Sequence, residues 1–366
     1  MNDKISIILP IYNVGEYLRE GLDSLINQSI GHENLEIIMV DDCSTDNCGE
    51  IIDEYCDKYD SCIAVHHEKN SGGPYTPRNT GLEVCTGDYI MFLDPDDRYE
   101  LDACEVLYNK IKETGDDMVL ARFRRIFESR SYVQKSYSPY PDNLSSYYPD
   151  EEFRIANPLD VSDELWENIV SKILYGRDLE ITYSRDEALD EIRIDNIEEE
   201  PDLLKIPPSI WCKIYKRELI MDNNLTFPPF VVGEDLCFNL EAFLKAKGIT
   251  FLNSYISCNY HVREVVEDNK SITNNINVRF MADLLDCLIY SRKCCDAFSR
   301  NVKNISINPH LFYWMNTWKS NSFTKEENEI LLGKIYELKK IHHGDLKTNL
   351  LILSIITAVK SANIIK

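Results

Sequence analysis

The most constraining feature of this chain is a regular alternation of strand-like apolar runs with segments of helical spacing. The runs are Ile5–Leu9, Leu35–Val40, Ile63–His67 and Tyr89–Leu93. Between them, Leu18, Leu22, Leu25 and Ile26 fall on one helical face, and Ile51, Ile52, Tyr55 and Tyr59 on another. Thr76–Val84 reads as a helix with Pro77 in its first turn, where a missing N–H costs nothing. Leu101–Lys112 reads as helix and Met118–Phe123 as strand. Unbroken apolar runs are what strands covered on both faces require. The alternation therefore predicts an α/β architecture, a mostly parallel sheet flanked by helices. The second run ends in Asp41-Asp42 and the fourth in Asp94-Pro95-Asp96-Asp97. Sheets of this kind bind ligands at the C-terminal ends of their strands.

Four regions are expected along the chain: 1–138, an acidic insertion at 139–208, a second compact stretch at 209–265, and a helical C-terminal region at 266–366. The insertion is marked by charge, since 141–202 holds 19 acidic residues against 5 basic ones. In the tail, Met281, Leu284, Leu285 and Leu288 form one stripe, and Ile330, Leu331, Lys334 and Leu338 a weaker one. Leu350–Val359 reads as a buried terminal helix, with a membrane-surface helix as the alternative. The net charge of -23 argues against a protein that binds nucleic acid by neutralising phosphates. The chain shows neither a leader-like segment nor an apolar stretch of roughly 20 residues. Its twelve cysteines lack metal-ligand spacing. The expectation is reduced thiols and a cytoplasmic location.

Four clusters could carry chemistry. Asp94 and Asp96 flank a proline at a strand end, a stiff mount for two hard oxygen ligands that suits Mg2+ or Mn2+ held together with substrate phosphates. The alternative is capping of the next helix, the role expected of Asp97. Asp42 could accept from a base N–H or a ribose hydroxyl, whereas Ser44 and Asp46 read equally as turn and helix-cap residues. Asn70-Ser71-Gly72-Gly73 allows close backbone approach, and Arg78 suits a diphosphate or a base carbonyl. Glu234-Asp235 opens a helix and reads either as N-terminal charge stabilisation or as a general base.

Seven words in order make a specific pattern: Ile7-Ile8-Leu9-Pro10-Ile11-Tyr12-Asn13, Val40 through Asp46, Asn70-Ser71-Gly72, Arg78-Asn79-Thr80-Gly81, Gly87 through Asp97, Trp211-Cys212-Lys213-Ile214-Tyr215, and Gly233-Glu234-Asp235. In them the chain resembles family 2 glycosyltransferases of the GT-A fold. Asn70 through Leu82 is most similar to the wall teichoic acid and polysaccharide enzymes of that family. The resemblance covers about 4–125 and 207–262. It implies that Pro10, Tyr12 and Asp42 hold the uracil and ribose of a UDP-sugar, and that Asn70 and Arg78 complete the nucleotide pocket. Asp94 and Asp96 become the DXD motif, with Asp96 on the metal. Asp235 becomes the catalytic base, with Glu234 beside it. His261 falls where some relatives supply a further metal or phosphate contact, though a packed histidine is equally natural there.

The implied reaction is inverting transfer of a sugar from a UDP-sugar donor to a hydroxyl of a glycan or polyol-phosphate acceptor. A metal-dependent nucleotidyltransferase would bring a basic phosphate loop near the N-terminus, and none stands at 8–16. A glycoside hydrolase leaves Asp42 and the Asn70–Arg78 words without a role. A non-catalytic glycan-binding protein of the same fold has no need of both acidic motifs. For the helical tail, the expectations are homo-oligomer packing or peripheral docking at the inner face of the cell membrane.

Overall fold

The computed structural model describes residues 3–127, 130–133, 190–205, 209–261, 276–305, 308–342 and 346–365. They group into two compact units, one drawn from 1–136, 189–199 and 208–269, the other from 200–207 and 270–366. Most of the expected acidic insertion, including the apolar positions from Leu159 to Leu174, lies outside the described residues.

The first unit is one sheet with helices. In chain order it runs β1 (Ile5–Ile11), α1 (Gly15–Ile26), β2 (Leu35–Asp41), α2 (Cys48–Lys58), β3 (Cys62–His66), α3 (Tyr75–Val84), β4 (Tyr89–Phe92), β5 (Arg98–Tyr99), α4 (Ala103–Thr114), β6 (Met118–Phe127), β7 (Arg130–Val133), β8 (Glu191–Ile194), β9 (Lys213–Lys216), α5 (Arg217–Asp222), α6 (Glu234–Lys245) and β10 (Ile249–His261). The strand order is β3-β2-β1-β4-β9-β6-β10-β5, with β7 beside β6 and β8 beside β10. β3, β2, β1 and β4 are parallel, as the alternation predicts, and every residue of β1, β2 and β4 is buried. β9 then enters antiparallel to both β4 and β6, so the whole sheet is mixed. Its Lys213-Ile214-Tyr215 word is thereby wedged into the middle of the sheet. β8 pairs antiparallel with β10, so 191–194, which fall within the expected insertion, are a strand of this sheet.

Asp97 does not cap the next helix. Two residues of β5 intervene, α4 begins at Ala103 with Asp102 in the cap position, and Asp97 Oδ1 accepts from the amide of His261 at 2.9 Å. The reason is tertiary: β10 runs past the 94–97 turn and offers its last amide to a fully buried carboxylate. Gly21 of α1 supports the same turn, since a Cβ there would lie 2.8 Å from the carbonyl oxygen of Pro95. Only a residue without a side chain lets that helix pack so close.

The second unit is helical: α7 (Val278–Cys294), α8 (Arg300–Ile305), α9 (Asn308–Lys319), α10 (Lys325–Ile341) and α11 (Leu346–Ile365). Both expected stripes are helical, with Met281, Leu285, Leu288, Leu331 and Leu338 buried; Ile330 is exposed and Lys334 bonds Asp286. α11 buries Leu351, Ile352, Ile355, Ile356 and Val359, leaving Leu350 and Leu353 exposed. Among the described residues no helix is long and apolar enough to cross a membrane. All twelve cysteines are free thiols.

Candidate active site

β1, β2 and β4 end side by side. Ile11 pairs with Asp41 in register, so Tyr12 and Asp42 leave the sheet together, and the Asp42 amide donates to the Ile11 carbonyl at 2.8 Å. The β1–β4 ladder stops at Ile8 and Phe92, so Pro10, which has no N–H, lies beyond it and forfeits no bond to β4. Pro10 is buried, whereas the Tyr12 ring is 47 % exposed on the rim of this edge. The loops leaving β1 and β2 are tied together. Asn13 and Cys43 both take left-handed backbone, the Asn13 amide donates to Ser44 Oγ at 3.1 Å, and Asn13 Oδ1 accepts from the Thr45 amide at 2.8 Å. Asp46 accepts from the amides of Gly15 (2.9 Å) and Cys48 (3.0 Å), so one carboxylate serves the first turns of α1 and α2.

Asp42 is buried and organises the loop after β3. Its Oδ1 is bonded to His67 Nδ1 at 2.8 Å. Its Oδ2 accepts from Asn70 Nδ2 (3.1 Å), the Ser71 amide (3.0 Å) and Ser71 Oγ (2.8 Å). Asp42 and Asn70, singled out separately in the sequence, are thus direct partners. His67 also bonds Thr80 Oγ1 on α3 through Nε2 at 3.1 Å, pinning its imidazole between strand end and helix. No sequence signal marks His67 beyond its place next to β3.

Arg78 lies on α3 and is 4 % exposed. Its Nη2 donates to Asp94 Oδ1 at 2.7 Å and its Nη1 to Glu234 Oε1 at 2.5 Å, while its guanidinium sits 5.4 Å from the centre of the Phe227 ring. One cation therefore joins the carboxylate after β4 to the first residue of α6. The neighbouring Asn79 fixes the same junction by a reciprocal pair with Phe227: Nδ2 donates to its carbonyl and Oδ1 accepts from its amide, both at 2.8 Å. Asn79, quoted in the sequence only as part of a word, is a framework residue of the site.

Gly233 precedes α6 with φ 84°, a left-handed turn that brings Glu234 and Asp235 into the helix's first turn. Glu234 is buried against Arg78. Asp235 is half-buried, and its Oδ1 accepts from the Leu236 amide at 2.7 Å. Burial raises the Asp235 carboxyl, against the pull of Arg78, the Leu236 amide and Lys213. Burial and the neighbouring Asp235 push the Glu234 carboxyl up to about 8, with Arg78 acting against them. A carboxyl raised above its ordinary 4.5 keeps a proton in the native state that the unfolded chain has released. Its contribution to stability is complete below about pH 4.5 and is lost as pH rises through about 8. Glu234→Gln is therefore expected to flatten the fall in melting temperature between about pH 5 and pH 8; a slope equal to that of the unaltered protein would show that Glu234 does not carry it.

Asp94 and Asp96 come after β4, and His261 ends β10. Burial and the Arg98 guanidinium push the His261 imidazole below its usual range, with backbone groups of Asp96 and Asn259 acting against them. That leaves it neutral at pH 7, the form able to ligate a metal. Its Nδ1 is buried without a hydrogen-bond partner among the described residues. Among the described residues, no three His, Cys, Asp or Glu side chains converge as a preformed metal cluster. The donor set fits a hard cation that takes most of its shell from phosphate and water, as Mg2+ does, and not a closed protein cage.

Residues 6–164 match the family model described as glycosyl transferase family 2. The chain is 31% identical over 254 residues to the poly(ribitol-phosphate) beta-glucosyltransferase of Bacillus spizizenii, an alignment covering 69% of this chain and 31% of that protein. It is 29% identical over 257 residues to the cholesterol galactosyltransferase of Borreliella burgdorferi, covering 70% of this chain and 60% of that one. It thus spans between 31% and 60% of these relatives' lengths. The crystal structure of Staphylococcus aureus TarS 1-349 in complex with UDP-GlcNAc shares the fold, with TM-score 0.65 at 20% identity over 98% of this chain and 90% of that one. This chain therefore carries a glycosyltransferase family 2 domain over residues 6–164.

Proposed function

We propose that this chain transfers a sugar from a UDP-sugar to a hydroxyl of a glycan or polyol-phosphate polymer, with inversion at the anomeric carbon. The observation that carries the reading is the Arg78 bridge. It draws the carboxylate at the β4 end and the first turn of α6 onto one guanidinium, so Asp94 and Asp235 belong to one site. Pro10, Tyr12, Asp42, Asn70 and Arg78 then form the nucleotide side, with Tyr12 the exposed ring for the base and the Asp42-held loop closing beside it. Asp94, Asp96 and His261 would hold Mn2+ or Mg2+, which when bound offsets the charge that gathers on the departing diphosphate. Asp235 accepts the acceptor hydroxyl's proton as its oxygen attacks the anomeric carbon. Glu234 holds Arg78 in place. The donor class is supported by the UDP-GlcNAc held by the structurally similar TarS, and the acceptor class by the poly(ribitol-phosphate) named for the Bacillus relative.

UDP with Mn2+ is expected to raise the melting temperature, and release of UDP from UDP-sugars to stop on addition of EDTA and return with Mn2+ or Mg2+. Release undiminished in EDTA would remove Asp94, Asp96 and His261 from the metal role. A failure of UDP to stabilise the protein would remove the donor assignment.

A further inference from the structure

Lys213 is buried completely, at 0 % exposed, in the middle of the sheet. Its ammonium donates to the carbonyl of Ser209 and lies 3.8 Å from the thiol of Cys212. Among the described residues no carboxylate stands within ion-pair distance of it. A buried cation without a bonded anion is costly, and it persists where a nearby charge offsets the loss of water. Burial pulls the Lys213 amine below its usual range, with Cys212 and Asp235 acting against it, and the strand geometry points to the same neighbourhood. Lys213 and Tyr215 are two apart on β9 and so face the same way. Tyr215 Oη donates to Asn239 Oδ1 at 2.7 Å, and Asn239 Nδ2 donates to the carbonyl of Asp235 at 3.0 Å. The face of β9 that carries Lys213 is therefore tied, through Tyr215 and Asn239 in the second turn of α6, to the backbone of Asp235 in its first turn. The other charged and titratable groups around that turn are Arg78 on α3, Asp94 after β4, Glu234 on α6, and the Cys212 thiol and Tyr215 hydroxyl beside Lys213. Arg78 is already shared by two carboxylates.

We propose that Lys213 is a positioning residue: the buried counter-charge, set behind α6, that keeps the Asp235 carboxylate ionised and able to take the acceptor's proton. The Lys213 ammonium acts on Asp235 in the lowering direction, against the burial that raises it. The inference rests on Asp235 being the base, and it gives a reason for the Lys-Ile-Tyr word of β9 to be inserted antiparallel between β4 and β6.

A four-protein melting comparison tests the pair without any turnover: the unaltered chain, Lys213→Met, Asp235→Asn and the double variant, at about pH 7.5. Methionine follows the path of the lysine stem and removes the charge, so a well-packed site tolerates it; Lys213→Gln serves as a second replacement. Asp235→Asn is expected to lower Tm when Lys213 is present, because it strands the ammonium. In the Lys213→Met background the same change is expected to leave Tm unchanged or raise it. The expected departure from additivity is about 2 °C or more. Additive single effects, within about 1 °C, would overturn the pairing. With UDP-N-acetylglucosamine and poly(ribitol phosphate) as substrates, Lys213→Met is expected to lose about 10-fold in kcat/KM near pH 6, narrowing to within about 2-fold near pH 8.5. A loss equal at every pH would mark Lys213 as a packing residue only. Full turnover in Asp235→Asn would remove the base reading; additive melting alongside an inactive Asp235→Asn would remove only the role of Lys213.

Discussion

Asp235→Asn is expected to lower kcat by about 100-fold or more while UDP affinity stays within about 3-fold of the unaltered protein. The substitution preserves size and the Oδ1 bond to the Leu236 amide, and it removes the negative charge and with it the capacity to accept a proton. Asp235 stands on α6, whereas the donor side is built from β1, β2, β4 and α3, so its loss falls on turnover and not on nucleotide binding. Titration calorimetry with UDP and Mn2+, beside a UDP-release assay, separates the two quantities. Unchanged turnover would move the base elsewhere, and a matching collapse of UDP affinity would show that Asp235 supports the donor side.

Arg78→Ala is expected to act on both stability and turnover. Removing one partner of a buried ion pair costs about 3–5 kcal/mol, because the remaining charge stays buried without its partner. Here the cost falls at the lower end, about 3 kcal/mol, because Asp94 retains some solvent exposure and the Glu234 carboxyl, raised by burial and Asp235, already keeps its proton. The loss of turnover is of similar size, since Asp94 and α6 lose their common tether and misplacement of about 1 Å costs about 100-fold, or about 2.7 kcal/mol. Arg78→Lys restores the charge but not the fork that reaches two carboxylates at once. It is expected to recover most of the melting temperature and little of the turnover. Wild-type turnover in Arg78→Lys would show that the charge alone suffices.

The β1-to-β4 half of the sheet was legible because its signals are local. A run such as Ile5–Leu9 is apolar at nearly every position only if both faces are covered, and Leu18, Leu22 and Leu25 mark a helix by spacing alone. The acidic clusters were legible for the same reason: they stand where the apolar runs stop. Asp97 misled because a carboxylate after a strand and before a helix looks like a cap, and its partner, the His261 amide, is 164 positions away. The place of β8 in the sheet was hidden by its charge, since Glu191 and Arg193 alternate with Ile192 and Ile194 inside a strongly acidic stretch.

By itself, then, the sequence determined the alternation, the strand ends and the residue types gathered there, because periodicity and turn chemistry depend on neighbours a few positions apart. Only the tertiary structure decided what each polar group touches. It showed Asp42 holding the Asn70–Ser71 loop, Arg78 joining Asp94 to a Glu234 that lies 156 positions beyond it in the chain, and Lys213 buried in the middle of the sheet. A carboxylate or an ammonium carries the same letter whatever it meets. Which charge it meets is set by strand register and helix packing, and these are properties of the folded sheet edge.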